Sequence, residues 1–203
     1  MNLSQKSKPA LILIDIQVGF DQTYWGNRNN PDAETNASIL LNKWRELGYP
    51  VFHIQHLSVN PASPLSPQSA GSAIKDIVKP LASEPLITKN VNSAFIGTNL
   101  EQLLQVAQVE QVVLVGISSD HCVNTSTRMA ANLGFEAIIV SDATVAFERT
   151  GPDGRHWSAD EIHSASLASL HEEFAIVLKT NQVLSQIQPA PALVDSPAPA
   201  LGD

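Results

Sequence analysis

The stretch Gln111-Val-Val-Leu-Val-Gly-Ile-Ser-Ser-Asp-His-Cys-Val-Asn124 decides the fold class. Its first part, Gln111–Gly116, is a near-continuous apolar, β-branched run, the pattern of a strand covered on both faces. A polar turn, Ser118-Ser-Asp-His121, follows. A helix-like segment then runs from Asn124 to Leu133, and Gly134 is the residue type expected just past a helix end. Strand, turn and helix in succession make half of a βαβ unit.

The same order repeats on either side. Ala10–Ile14, Val51–Gln55, Glu136–Val140 and Phe174–Leu178 read as further strands, and Leu86–Thr88 as a shorter one. Between them lie helical segments at Asp32–Leu47 (stopped by Gly48), Asn99–Ala107 and Ser158–Glu173. Asn99 suits an N-cap, and Ser158 with Glu161 reads as a capping box. The expected architecture is α/β, a three-layer α/β/α sandwich around a mainly parallel sheet, in one domain over 1–187. Asn60–Ser72, with Pro61, Pro64 and Pro67, is predicted to be a long loop near the active site or a subunit contact. The Pro/Ala-rich residues 188–203 read as a tail, either flexible or docked on a neighbouring subunit. A glycine-rich nucleotide loop is not indicated, because Gly116 is followed by Ile-Ser-Ser-Asp with no second glycine in range.

Composition narrows the function classes. The 203 residues are 43% hydrophobic, enough for a sizeable core, and 12 Lys+Arg against 20 Asp+Glu give a net charge of −8. That balance argues against nucleic acid or an anionic membrane as partner, since phosphate binding needs clustered positive charge. A single cysteine, Cys122, excludes an intrachain disulfide and a multi-cysteine zinc site. No stretch approaches the roughly 18 apolar residues of a membrane span. A soluble, cytoplasmic protein acting on a small molecule is expected.

Three chemically capable side chains fall at the carboxyl ends of predicted strands, where parallel α/β sheets bind ligands. Asp15 follows Leu11–Ile14, Lys89 follows Leu86–Thr88, and Cys122 follows the strand ending at Gly116 by a short loop. Asp15 lies between Ile14 and Ile16 at the edge of a buried strand, where an unpaired charge is costly, so it needs a cation; Lys89 is the candidate. At a helix N-terminus, free N–H groups and the helix dipole favour a Cys122 thiolate, and an ammonium favours it further. A carboxylate in reach could take the thiol proton as general base. Each residue also has a purely structural reading: a buried small hydrophobe for Cys122, a solvated surface group for Lys89, a turn former for Asp15.

With these residues in place, the chain resembles the isochorismatase-like cysteine hydrolases, the family that includes nicotinamidases and N-carbamoylsarcosine amidase. The matching motifs are Leu11-Ile-Leu-Ile-Asp15-Ile-Gln17 with Phe20, Lys89-Asn-Val-Asn-Ser93-Ala-Phe95, and Val115-Gly-Ile-Ser-Ser-Asp120-His-Cys122-Val123. Arg128-Met-Ala-Ala-Asn-Leu-Gly134-Phe and Val140-Ser-Asp142-Ala match as well, in the family's order, from about Pro9 to about Leu184. The resemblance implies the isochorismatase-like hydrolase fold, a catalytic triad of Asp15, Lys89 and Cys122, and a cis peptide between Ile117 and Ser118. It implies an oxyanion hole formed by the backbone N–H groups of Ser118 and Cys122, and hydrolysis through a thioester acyl-enzyme. It also implies a homo-oligomer, dimer or tetramer. Retention of Cys122 tips the expected reaction towards a C–N bond in an amide, carbamoyl or imide-like group. The alternatives are a vinyl-ether hydrolase of the isochorismate type with Asp15 as general acid, and a non-catalytic binding or assembly subunit.

Nicotinamidases carry a metal on an Asp-x-His…His set. The corresponding segment here, Val51-Phe-His-Ile-Gln-His56, lacks the Asp-x-His element, and strand alternation sends His53 and His56 to opposite faces. No metal and no other cofactor is expected, and His56, at the strand's end, is expected to face the pocket. Phe20, Trp25 and Phe95 are candidates for an apolar substrate wall, with core packing the alternative for Phe95. Arg28, with Asn29 and Asn30, is a candidate for a polar substrate end or a solvated loop. His121 is disfavoured as the base because neighbours at a strand-to-helix turn point apart. His163 and His171 read as packing or subunit-contact residues.

Overall fold

The computed structural model describes residues 8–187. The 188–203 tail therefore lies outside the described residues. In chain order the elements are β1 (Ala10–Ile14), α1 (Ala33–Leu47), β2 (Val51–His56), β3 (Leu86–Lys89), α2 (Leu100–Val106), β4 (Gln111–Ile117) and α3 (Cys122–Asn132). They continue with β5 (Glu136–Val145), β6 (Arg149–Thr150), β7 (His156–Trp157), α4 (Ala159–Ala168), β8 (Ala175–Leu178) and α5 (Thr180–Gln186). Six strands form one sheet in the order β3-β2-β1-β4-β5-β8, and every neighbouring pair is parallel. A separate two-residue antiparallel pair joins β6 to β7.

Alternation along β1 explains the three layers. Ala10, Ile12 and Ile14 pack into a core shared with Leu100 and Leu104 of α2 and with Val123 and Ala130 of α3. Leu11 and Leu13 face the other way, onto Leu40, Leu41 and Trp44 of α1 and Val183 of α5. A strand apolar on both faces is the one a doubly covered parallel sheet requires. The predicted sandwich is the observed one.

Several boundaries differ for identifiable reasons. The helix expected from Asn124 starts at Cys122, and His121 before it makes no side-chain cap. Asn99 precedes α2 but does not cap it through its side chain; the Leu100 N–H instead meets Thr98 Oγ1 at 3.4 Å. The capping box at Ser158 and Glu161 forms, whereas α4 stops at Ala168 and not at Glu173, and Glu172 turns the chain at φ 66°. Strand β5 runs five residues beyond the apolar run that announced it. Its polar residues are satisfied by β8 and α5: Ser141 Oγ donates to the Leu178 carbonyl at 3.1 Å, and Asp142 Oδ1 accepts from both N–H and Oγ1 of Thr180, each at 2.8 Å.

One glycine is fixed by close approach. At Gly116 (φ +128°), a Cβ would stand 2.0 Å from the Ile14 carbonyl oxygen, because β1 and β4 pair there in register. No side chain fits between the two strands at the point where both reach the functional edge.

An ion cluster ties α1 to the loops around that edge. Glu34 accepts from Arg28 Nη1 and Nη2 and from Lys75 Nζ, all at 2.7 Å. Burial alone would raise the Glu34 carboxyl, but the two cations outweigh it and hold it at about 2. A carboxyl depressed on folding stabilises the protein above its unfolded pKa, near 4.5, and that stability drains away as pH falls towards 2. The displacement corresponds to about 3 kcal/mol. Glu34→Gln is expected to lower stability at pH 7 and to flatten the loss of melting temperature between pH 5 and pH 2; an unchanged acid limb would count against the cluster.

Candidate active site

The parallel register sets the ends of β1, β2, β3 and β4 side by side, with His56 paired to Lys89 and Ile14 paired to Gly116. Asp15 leaves β1 with φ 53°, a left-handed conformation that aspartate tolerates better than most residues. Cys122 is the first residue of α3, beyond the turn that follows β4. The Ile117–Ser118 peptide is cis.

These ends bring Asp15, Lys89 and Cys122 together. Lys89 Nζ donates to Asp15 Oδ2 at 2.6 Å and lies 3.3 Å from Cys122 Sγ, 3.1 Å from His56 Nδ1 and 3.2 Å from the Val91 carbonyl oxygen. Both side chains of the Asp15–Lys89 pair are fully buried. An ammonium has three protons and here four acceptors, so its desolvation is compensated on every side. Asp15 Oδ1, also buried, has no hydrogen-bond partner among the described residues. Cys122 Sγ lies 3.7 Å from Asn92 Oδ1.

The electrostatics correct one expectation. Burial pushes the Asp15 carboxyl up, opposed by Lys89. Burial, reinforced by the Asp15 charge, pushes the Cys122 thiol well above its ordinary range, and Lys89 only partly offsets this. Burial and the facing Asp15 carboxylate thus outweigh the lysine in setting that direction. His56 is pushed down by burial and then by Lys89, which favours the neutral ring. Its Nδ1 beside a pure donor is therefore an acceptor.

Asp15, His56 and Cys122 offer metal-type ligand atoms that lie within 4.8 Å of one another. The Lys89 ammonium stands within hydrogen-bond reach of all three. A divalent ion at that point would replace or repel a cation already held there, so the set as arranged does not fit a metal. His53, on the opposite face as alternation requires, pairs with Glu84 at 2.9 Å instead.

Above the sulfur lies a cavity of about 120 Å3, lined by Asp15, His56, Ser118 and Cys122 on its polar floor. Phe20, Trp25, Leu65 and Phe147 form its apolar wall, and Asn92, His121 and Arg149 complete it. The ring centroids of Phe20 and Trp25 are 4.8 Å apart, and each lies 6.0 Å from Phe147. The N–H groups of Ser118 and Cys122 make no hydrogen bond to any group among the described residues.

Phe20, Trp25 and His56 thus line the cavity, but two other candidates do not. Phe95 is packed in the core against Phe135, at 6.3 Å between centroids, because its strand-end loop folds back over α3. Arg28 is committed to Glu34 and to the carbonyls of Asn29 and Asn30, so its charge is spent on the loop. His121 also lines the cavity, with Nδ1 3.3 Å from Arg149 Nη2 and Nε2 3.5 Å from Asp120. The sequence reading missed Leu65, Asn92, Phe147 and Arg149. Leu65 was signalled by the proline-rich loop and Asn92 by the lysine motif that contains it. Phe147 and Arg149 lay hidden beyond the polar Ser141-Asp142 break in β5.

The model of the isochorismatase domain matches residues 9–182. The chain belongs to the isochorismatase family. Its relatives include the isochorismatase family protein YrdC of Bacillus subtilis (strain 168), 48% identical over 180 residues that cover 89% of this chain and 96% of that one. A crystal structure of an isochorismatase-family protein from Chromobacterium violaceum superposes with a TM-score of 0.86 at 42% identity, covering 91% of this chain and 94% of that one. Nicotinamidase 3 of Arabidopsis thaliana is 26% identical over 86% of both chains. The isochorismatase-family chain described here is accordingly a hydrolase, with the family's six-stranded parallel sheet.

Proposed function

We propose that this protein is a cysteine-dependent hydrolase of small C–N substrates, working through Asp15, Lys89 and Cys122. The observation that carries the reading is the buried Lys89 ammonium, in contact with the Asp15 carboxylate at 2.6 Å and the Cys122 sulfur at 3.3 Å. A thiol given its own carboxylate and ammonium at the floor of a cavity is equipped for nucleophilic attack. The relationship to a protein named nicotinamidase supports an amide as the bond cleaved.

In this mechanism the resting enzyme keeps the proton on sulfur. As Sγ bonds to the substrate carbonyl carbon, Asp15 takes the thiol proton on Oδ1, and the carbonyl electron pair moves to oxygen. The Ser118 and Cys122 N–H groups receive that oxyanion, a contribution of about 2.7–4 kcal/mol per donor. Collapse breaks the C–N bond, Asp15 returns the proton to the departing nitrogen, and a thioester remains. Asp15 then takes a proton from water as it attacks the thioester, and the proton passes back to the leaving sulfur. The sum is amide plus water to acid plus amine. Lys89 keeps Asp15 oriented and ionised through both half-reactions, and the aromatic wall holds the substrate's apolar body.

In the vinyl-ether alternative Asp15 protonates the substrate and sulfur has no part, which leaves the Lys89–Cys122 contact without a purpose. The test is a panel of small primary amides and carbamoyl compounds, read as ammonia release, with wild type beside Cys122→Ala. Release by the wild type alone supports the cysteine reading; ether cleavage that survives in the variant supports the alternative. The cytoplasmic location and the dimer or tetramer implied by the family resemblance belong to the same proposal.

A further inference from the structure

We infer that His163, on α4, is a positioning residue that holds the Ser118–Cys122 turn in the shape the oxyanion hole needs, acting through Ser119. The inference rests on the reading of Ser118 and Cys122 as that hole.

Ser119 lies between the two proposed donors, is completely buried, and has every polar group tied down. Its N–H donates to the Val145 carbonyl at 2.7 Å, and its Oγ meets the same carbonyl at 3.1 Å. Its Oγ is also 2.9 Å from His163 Nδ1, and its own carbonyl oxygen accepts from Ser166 Oγ, one turn further along α4. Ser166 is held in turn by Asn124 Nδ2 at 2.9 Å. Two side chains from α4 therefore grip the residue that follows the cis peptide in the turn leading to Cys122.

The far side of the ring is held as well. Asn30 Nδ2 uses its two protons on the carbonyls of Ser141 at 2.9 Å and Thr144 at 2.7 Å, and it also lies 3.4 Å from His163 Nε2. His163 Nε2 sits beside that amide and the Ser141 carbonyl, which anchor the ring, and Nδ1 is left to the Ser119 hydroxyl. Burial pushes the His163 pKa down, favouring a neutral ring, and the hydrogen bond to the Ser141 carbonyl partly opposes it. His163 Nδ1 and Ser119 Oγ share one buried hydrogen bond, and the hydroxyl also lies 3.1 Å from the Val145 carbonyl. Without His163 the Ser119 side chain loses its hold on α4, the turn keeps only its tethers to Val145 and Ser166, and the neighbouring N–H groups are less firmly aimed.

This role separates from thiol activation, because alkylation by iodoacetamide displaces iodide at a saturated carbon and forms no oxyanion. Addition of benzaldehyde does need the hole: Sγ bonds to the carbonyl carbon, the thiol proton ends on the carbonyl oxygen, and a reversible thiohemiacetal results. The experiment measures benzaldehyde's protection of Cys122 against iodoacetamide, in wild type, His163→Ala, His163→Asn and Ser166→Ala, with melting temperatures as the folding control. The Asn amide places a polar atom where Nδ1 of the histidine stood and restores the hydrogen bond to Ser119 Oγ. The expected result is benzaldehyde affinity weakened roughly tenfold in His163→Ala and Ser166→Ala, less than the 10²–10³ of losing a donor outright. Affinity in His163→Asn is expected within about threefold of wild type, with the alkylation rate unprotected by aldehyde unchanged within about twofold throughout. Wild-type affinity in His163→Ala, or a loss in His163→Asn equal to that in His163→Ala, overturns the inference. Absence of protection in the wild type overturns the oxyanion-hole reading itself, and the inference with it.

Discussion

Cys122→Ala is expected to abolish ammonia release from any amide that the wild type hydrolyses, by roughly 10⁴-fold or more, as when the nucleophile of a coupled catalytic group is removed. The substitution is mild structurally. Cys122 Sγ meets Lys89, Asp15 and, at longer range, Asn92, and Asp15, His56 and Val91 remain to hold the lysine. The variant should therefore fold, keep its melting temperature within a few degrees and still bind substrate in the aromatic cavity. Loss of turnover with binding retained, the latter measured by Trp25 fluorescence quenching, locates the defect in chemistry. Turnover within tenfold of wild type would remove Cys122 from the mechanism and leave the Asp15 acid of the ether reading.

Lys89→Met has the second large effect, on stability as well as activity. It strands the Asp15 carboxylate with no countercharge in a fully buried site. Breaking a buried pair from one side costs about 3–5 kcal/mol, whereas replacing both members by neutral groups is often nearly free. The double variant Asp15→Asn/Lys89→Met is accordingly expected to recover most of the melting temperature that Lys89→Met loses, while both remain inactive. Denaturant unfolding of the four proteins gives the coupling directly. A double variant no more stable than the single one would mean that the pair does not carry the local electrostatics.

The sequence made the fold legible where burial is two-sided. Runs such as Leu11–Ile14 and Val112–Val115 admit few alternatives, since an apolar strand with no polar face must be covered by helices above and below. The site was legible for the same reason: Asp15 interrupts such a run, and a charge there needs a partner. What escaped was written in contacts and not in pattern. The second half of β5 is obscured by Ser141 and Asp142, whose polarity makes sense only once Leu178 and Thr180 are seen to accept and supply their hydrogen bonds. A shift in the β4–β5 register, from Leu114–Ile139 to Gly116–Thr144, absorbs this break and carries Phe147 and Arg149 to the cavity. Phe95 and Arg28 looked suitable by type, but their partners Phe135 and Glu34 claim them. The thiol's raised pKa likewise depends on how deeply the sulfur is buried, which no spacing reveals.

In the proposed site the sulfur, the carboxylate and the ammonium act as one electrostatic unit in which Asp15 holds the thiol's pKa up and Lys89 draws it down. The pH dependence of Cys122 alkylation by iodoacetamide tests it most directly, in wild type, Asp15→Asn and Lys89→Met. The expected midpoint in the wild type lies above the unperturbed value of about 8.5. Asp15→Asn removes the negative charge that opposes ionisation and leaves the ammonium, so its midpoint should fall, making an inactive enzyme with a more reactive thiolate at neutral pH. Lys89→Met should move it the other way. A wild-type midpoint at or below 8.5, with neither variant shifting it or with Asp15→Asn raising it, would contradict the coupled site.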